Sequence, residues 1–543
     1  MTTLFDIFGY LVVVLHGLDL VAQTLLIGSV AFVVFFAAGA LPATQSARVV
    51  RWAAAATVAT TAAVTSLNAL VLASSLGLSW WEVSGSGFVI AGLAKTAAAA
   101  AIGIAAARNP RSVAWGRIGV AAVIVVLCAS VATSHAAARL AGAAPLMIAT
   151  GAHELGAAIW LGGLPCLWLA LGREASTATA VAVGRRYATL AITGVALISG
   201  GAIAFAVAYM GSLAAAYGTA YGVMASTKSV LFAGLLLLGL ANFLTLRRIA
   251  PLASSIDRVR RFVVVEMGFG FSILMAAASI TSLPPGVDLV DGRATLSEIA
   301  ARMAPARPRL ESPDHASLAL SLLQAKLDAQ ARAAEAQARP QAYVPGSGKA
   351  PPRNASDIAW SEYNHHWAGL IVVAIGLAAL AYRSGRVPWM RHWPLLFLLL
   401  AVFLAVRSDP EVWPMGDVGL LESLKDPEVA QHRIFVALVV AFALFEWGVS
   451  TGRIASRALA RVFPVLTVVA GTLLLTHSHT LGNVKEELLI EYSHMPIAVL
   501  GIAAGWSRWL EVEAPQAEGR WAGWVWPACF VAIGVMLLFY REA

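Results

Sequence analysis

Long apolar runs, separated by short polar connections, set the rhythm of this chain. They fall near 7–39, 48–77, 85–108, 113–134, 145–172, 187–211, 227–249 and 259–282, then, after a polar stretch, near 364–382, 393–408, 431–451, 457–477, 491–510 and 521–540. Runs of this length cross a hydrocarbon core of roughly 30 Å as helices. A membrane barrel would instead show short alternating segments, and no other backbone arrangement satisfies its polar groups in lipid. The pattern predicts an all-α polytopic membrane protein with about fourteen transmembrane helices, arranged as eight plus six. The first run is too long for the apolar core of a cleavable signal and reads as a span.

Charge adds orientation. The chain is 59% hydrophobic, only 13% charged, and carries a net charge of +8. Arg48/Arg51, Arg108/Arg111/Arg117, Arg173/Arg185/Arg186, Arg247/Arg248/Arg258/Arg260/Arg261, Arg383/Arg386/Arg391, Arg453/Arg457/Arg461 and Arg508/Arg520 all fall in alternate connections. Basic residues placed this way report the cytoplasmic side rather than a nucleic-acid partner. Both termini and the polar stretch are then outside. The expected domains are 1–285 with eight spans, 286–363 outside, and 364–543 with six spans. Within the outer stretch, 317–341 reads as an Ala- and Gln-rich helix with an Arg-Pro stop, and 344–354 as a flexible linker. Cys128, Cys166 and Cys529 are isolated in apolar runs with no CxxC pair, a pattern that supports neither a disulfide framework nor a thiolate metal site.

Histidine placement supplies the candidate chemistry. His477 and His479 end one span, His494 begins the next, His432 begins the span near 431, and His365 and His366 begin the span near 364. Four helices thus deliver these imidazoles to the outer surface. Neutral imidazole suits copper, zinc and iron, and Met495 and Met415 add thioether sulfur of the kind Cu(I) accepts. Asp409, Glu411, Asp417, Asp426 and Glu428 make a negative approach that concentrates cations. The expected metal site therefore comprises His477, His479, His494, His432, His365, His366 and Met495.

A second constellation lies inside the first eight spans. Counted at about 1.5 Å per residue, His16 and His153 sit roughly 12–14 Å below the outer surface at matching depth. Asp19 follows His16 on the same helical face, Asn68 reaches about the same level, and Lys95 and Glu154 are nearby. Ionisable groups this deep face a partner or a polar pathway. They either pair off as His16–Asp19 and Lys95–Glu154 or form part of a transport or cofactor site. His135 stands at the outer end of its span, where an ion would come in. Two histidines at one depth also suit a b-type haem, whereas the absence of CxxCH excludes c-type haem and the absence of GxxxxGK[ST] excludes a P-loop.

Residues 186–285 resemble the conserved domain of the copper resistance protein CopD family. The resemblance rests on RRYATLAITGVALISG, YGVMASTKSVLFAGLLLLGLANF and RRFVVVEMGFGFSILMAAASITSLPP, joined by HELGAAIWLGGL and a first-helix histidine, His16; it extends over roughly 7–285. It implies copper ion transport, as uptake from the periplasm across a bacterial inner membrane, within copper homeostasis or resistance. Both termini would be periplasmic, and the partners would be copper, as Cu(I) or Cu(II), membrane lipid and a CopC-like periplasmic copper chaperone. Matched positions are His16, His153, Trp160, Lys228, Asn242 and Glu266. The histidines would be ligands, Lys228 and Asn242 would orient helix ends, and Glu266 would lie on the exit side. No CopC-like domain is fused, and the last six spans fall outside the resemblance. The expectation is a transporter rather than an enzyme; the alternative is a haem-dependent membrane oxidoreductase or electron carrier.

Overall fold

A computed structural model describes residues 2–35, 42–108, 113–172, 176–248, 253–289, 292–313, 355–409, 412–424, 427–476, 484–514 and 519–542. Among the described residues there is no β-strand, only an isolated bridge between Val412 and Val418. Twelve helices are long and apolar enough to cross a membrane, the architecture of a multi-pass membrane protein. Packing divides the chain into two compact units, the first built mainly from Met1–Ala216 and Met224–Asp288, the second mainly from Leu289–Leu474 and His479–Ala543.

The first unit contains α1 (Thr2–Phe35), α2 (Ala43–Leu76), the short α3 (Trp80–Ser84), α4 (Gly87–Arg108), α5 (Val113–Ala132), α6 (Ala143–Ala157), α7 (Leu164–Ala170), α8 (Thr177–Phe205), α9 (Leu213–Gly218), α10 (Ala220–Arg248) and α11 (Ala253–Ile280). α1 is the hub, packed on α2, α5, α6 and α11. The expected span at 145–172 is interrupted: after α6 the backbone forms a π-helical turn, Ala158–Gly162, before α7 resumes. The glycines of WLGGL explain the crossing beside this turn. A Cβ on Gly162 would stand 1.9 Å from the Thr24 carbonyl oxygen, and one on Gly28 would stand 2.1 Å from that of Ala158. Only residues without a Cβ let the two backbones approach this closely.

The second unit contains α12 (Leu296–Met303), α13 (Ala355–Arg383), a 3₁₀ segment at Pro388–Leu395, α14 (Leu396–Arg407), α15 (Leu420–Ser423), α16 (Pro427–Ser450), α17 (Arg457–Ala460), α18 (Val462–Thr476), α19 (Val484–Glu513) and α20 (Ala522–Leu538). α13 and α20 cross as closely: a Cβ on Gly369 would lie 2.3 Å from the Leu538 nitrogen, and one on Gly534 2.5 Å from that of Val373. The core is aromatic. Phe442 stacks on Phe463 at 4.4 Å, and Phe397 meets Phe442 edge-on at 5.3 Å. At the arginine-rich helix ends, Arg508 bridges Glu446 at 2.9 Å and Glu511 at 2.7 Å; Arg383 and the Trp526 indole also donate to Glu511, at 2.6 and 2.7 Å. Four helices, α13, α16, α19 and α20, are tied together there.

The helix expected over 317–341 lies outside the described residues. The helix present in this part of the chain, α12, opens with a capping box in which Thr295 Oγ1 accepts from the Glu298 N–H at 3.3 Å and the Glu298 carboxylate accepts from the Thr295 N–H at 2.8 Å.

Candidate metal-handling sites

In the first unit, His16, Asp19 and Gln23 share one face of α1. Lys95 of α4 reaches Asp19 at 2.6 Å, and Thr60 and Thr61 of α2 donate to the other carboxylate oxygen at 2.9 and 2.6 Å. Neither charge is left alone, as a low-dielectric interior requires. One turn further along, the Gln23 amide donates to Ser130 at 3.1 Å and to Glu154 at 3.4 Å. The expected His16–Asp19 and Lys95–Glu154 pairs are thus replaced by Lys95–Asp19. Lys95 of α4 and Asp19 of α1 meet across α2, on which both helices pack, and Glu154 is held by neutral donors. Asn68 turns back to donate to the Val64 carbonyl at 3.0 Å.

The two deep histidines have different surroundings. The charged neighbours of His16 are Lys95, Asp19 and His135, whereas that of His153 is Lys228. His135 donates Nε2–H to the Thr281 carbonyl at 2.7 Å. His153 donates Nδ1–H to the Ile198 carbonyl at 2.9 Å and packs against Phe205 at 5.3 Å. No described contact joins His16 to His153, and each has an ammonium nearby, a poor fit to one apolar macrocycle held between two axial imidazoles.

The other matched positions converge differently from expectation. Asn242, expected to orient a helix end, donates its side-chain amide to the buried Glu266 carboxylate, which also takes a hydrogen bond from Trp160. Trp160, Asn242 and Glu266 therefore form one interhelical knot. The Tyr187 hydroxyl donates to the Trp160 carbonyl at the π-helical turn.

In the second unit, His365 of α13 donates Nδ1–H to the Ser361 carbonyl at 2.8 Å, and His494 of α19 donates Nδ1–H to the Ile490 carbonyl at 2.9 Å. Each ring is thereby fixed in the tautomer that presents Nε2 as the lone-pair nitrogen. The rings are 6.1 Å apart and nearly perpendicular. Two imidazoles binding one ion at about 2 Å each place their centroids roughly 5–6.5 Å apart, so the spacing suits a shared ion. Tyr540 stacks on His365 at 4.0 Å and meets His494 edge-on at 6.0 Å. Its hydroxyl donates to Glu542 at 2.9 Å, and Ser361 donates to the same carboxylate. Met495 is buried beside His494 in sequence.

The remaining outer residues divide. His366, expected as a ligand, is fully buried and spends both nitrogens: Nδ1 accepts from the Arg309 N–H at 2.7 Å and Nε2–H donates to the Tyr540 carbonyl at 2.7 Å. Adjacent helical residues diverge, so His365 and His366 serve different neighbours. His432 donates Nδ1–H to Asp409 at 2.6 Å, the carboxylate–imidazole arrangement that commonly orients a ligating histidine. Burial pushes the Asp409 carboxyl up, but hydrogen bonds from His432 and Ser408 and the Arg433 charge hold it below the ordinary range. Met415 sulfur accepts from Arg407 at 3.2 Å. His477 and His479 lie outside the described residues. Among the described residues, no three His, Cys, Asp or Glu side chains converge on a metal position.

Comparison with known proteins points the same way over part of the chain. No family profile matches. Across 135 residues the chain is 31% identical to the copper transport protein CutJ of Bacillus subtilis (strain 168), covering 24% of each chain. That stretch resembles a copper transporter. The chain spans about a quarter of this relative's length. No solved structure matches.

Proposed function

We propose that this protein handles copper at the bacterial inner membrane and carries the ion inward from the periplasm, as a CopD-like component of copper homeostasis or resistance. The observation that carries the reading is the His365–His494 pair, two tautomer-fixed imidazoles 6.1 Å apart on different helices. The quarter-length likeness to a copper transport protein supports it. So does the recurrence of seven arginine-rich connections at alternate positions along the sequence, which by the positive-inside rule would face the cytoplasm and leave both termini periplasmic. In this reading His477, His479, His432 and Met495 assist capture, and a CopC-like chaperone delivers the ion. His135 and His16 receive it at the level where Asp19 already balances Lys95, with His153 at a matching depth. Copper is cargo, and no catalytic step is required.

Metal analysis of detergent-purified protein, with a visible spectrum of the same sample, tests the reading. Copper without a Soret band is expected, and its stoichiometry should fall in the His365→Ala/His494→Ala variant. Iron with a strong Soret band would overturn the proposal in favour of a b-type haem protein.

A further inference from the structure

A groove opens on the surface of the first unit between α1, α2 and α7. Its walls are Leu25 of α1, Ala53 and Ala56 of α2, and Pro165 and Leu169 of α7, and its volume is about 620 Å³. That lies within the roughly 300–1,000 Å³ of clefts that hold small molecules. The lining is apolar except at one end, where Gln45 and Arg48 stand. Arg48 is exposed, and among the described residues neither it nor the Gln45 side chain has a hydrogen-bond or ion-pair partner. Trp52, one turn beyond Arg48 and 72% exposed, is the amphipathic ring that settles at headgroup level in a bilayer. From Gln45 to Ala56 the groove follows α2 for eleven residues, roughly 16 Å. One leaflet, half of a hydrocarbon core roughly 30 Å thick, has the same depth.

We propose that this groove is the binding site of one anionic phospholipid, its phosphate on Arg48 and one acyl chain along Leu25, Ala56 and Pro165. The parallel N–H groups of a guanidinium match two phosphate oxygens, and the Gln45 amide is placed to donate to the remaining headgroup oxygens. Basic pockets between membrane helices at headgroup level select anionic lipids in this way. Lipid tails elsewhere in the bilayer are as apolar as the groove, so burial of the chain alone gives no preference. The chain supplies fit, and the headgroup supplies selectivity. A lipid held here fills the space between α2 and α7, beside the close crossing of α1 at Gly28 and Gly162. Its binding therefore stabilises the first unit.

Phosphatidylglycerol is the probe. Full-length protein, stripped of lipid in a neutral detergent, is titrated with phosphatidylglycerol or with phosphatidylcholine of identical chains. Glycerol phosphate serves as the headgroup alone. Native mass spectrometry counts the bound lipid, and thermal unfolding reads its effect. Phosphatidylglycerol should bind as one tight copy, roughly tenfold tighter than phosphatidylcholine, and raise the melting temperature. Arg48→Gln should remove that preference, whereas Arg51→Gln, at an exposed arginine outside the groove, should keep it. Ala56→Trp, which fills the groove from an exposed position, should weaken both lipids. Equal binding of the two lipids to the wild type, equal losses in Arg48→Gln and Arg51→Gln, or unchanged phosphatidylglycerol binding in Ala56→Trp would each overturn the proposal. Stabilisation by glycerol phosphate alone would make this a site for a free phosphate ester. A dimer lost in Ala56→Trp would give the groove to a second copy of the chain. Either result also overturns the lipid assignment.

Discussion

The two units solve the problem of polar groups in a membrane protein differently. The first threads charge through the middle of its helices, where Asp19, Lys95, Thr60 and Thr61 form a closed group beside His16, and Gln23, Ser130 and Glu154 continue it. The second keeps an aromatic interior of Phe397, Phe442 and Phe463 and sets its polar groups to either side of it, the histidine pair in the first half of α13 and α19 and the Glu446–Arg508–Glu511–Arg383 group at their last turns. A charged group inside a span must be matched partner for partner, whereas for His365 and His494 the carbonyl one turn earlier on the same helix, Ser361 or Ile490, is enough to set the tautomer.

The sharpest way to break this contrast is to strip one partner from each buried ionic group. Lys95→Ala removes the cation beside Asp19 and Arg508→Ala the cation beside the fully buried Glu446; each should cost about 3–5 kcal/mol in thermal unfolding in detergent. The double change Lys95→Met/Asp19→Asn should recover much of the first loss. Next come the backbone crossings. Gly162→Ala in the first unit and Gly369→Ala in the second should each cost about 1–3 kcal/mol, because the added Cβ meets backbone rather than a movable side chain.

The histidines sharpen the comparison further. His366→Ala should destabilise by about 1–3 kcal/mol, through the stranded Arg309 N–H and Tyr540 carbonyl, and leave copper stoichiometry unchanged. His365→Ala/His494→Ala should do the reverse. The smallest effect belongs to Asp409. Because its carboxyl is held below the ordinary value, its contribution is complete above a pH of about 4, the unfolded-chain value, and is lost as pH falls through the lower folded value. Asp409→Asn should flatten that acid-side loss in unfolding measured against pH.

Much of this was legible in the sequence, and the gaps have physical causes. Apolar runs of helical length announced the spans, and arginine placement suggested their orientation. Depth counting put His16 and His153 level but could not say which helices face each other, so the bond from Lys95 to Asp19 and the approach of His135 to His16 were missed. Gln23, Thr60, Thr61 and Ser130 escaped notice because uncharged polar residues are common in spans; their signal was the four-residue spacing of Asp19 and Gln23. The helix α12 was hidden in a polar stretch, although the Thr295–Glu298 capping box marked it. Trp160 and Gly162 looked like a family signature and prove to secure a π-helical turn and a backbone crossing.

The ionic tie at the arginine-rich end has a mechanical consequence. Arg383 lies eighteen residues beyond His365 on α13, and Glu511 lies seventeen beyond His494 on α19. With those ends fastened to each other, the spacing of the two imidazoles is set by the angle between α13 and α19 measured from the salt-bridge group. At about 1.5 Å per residue each stretch is roughly 27 Å long, so widening that angle by about 5° separates the imidazoles by roughly 2 Å. That is about the length of one metal–nitrogen bond, so under the copper reading proposed above a small change in the angle between the helices would open the pair.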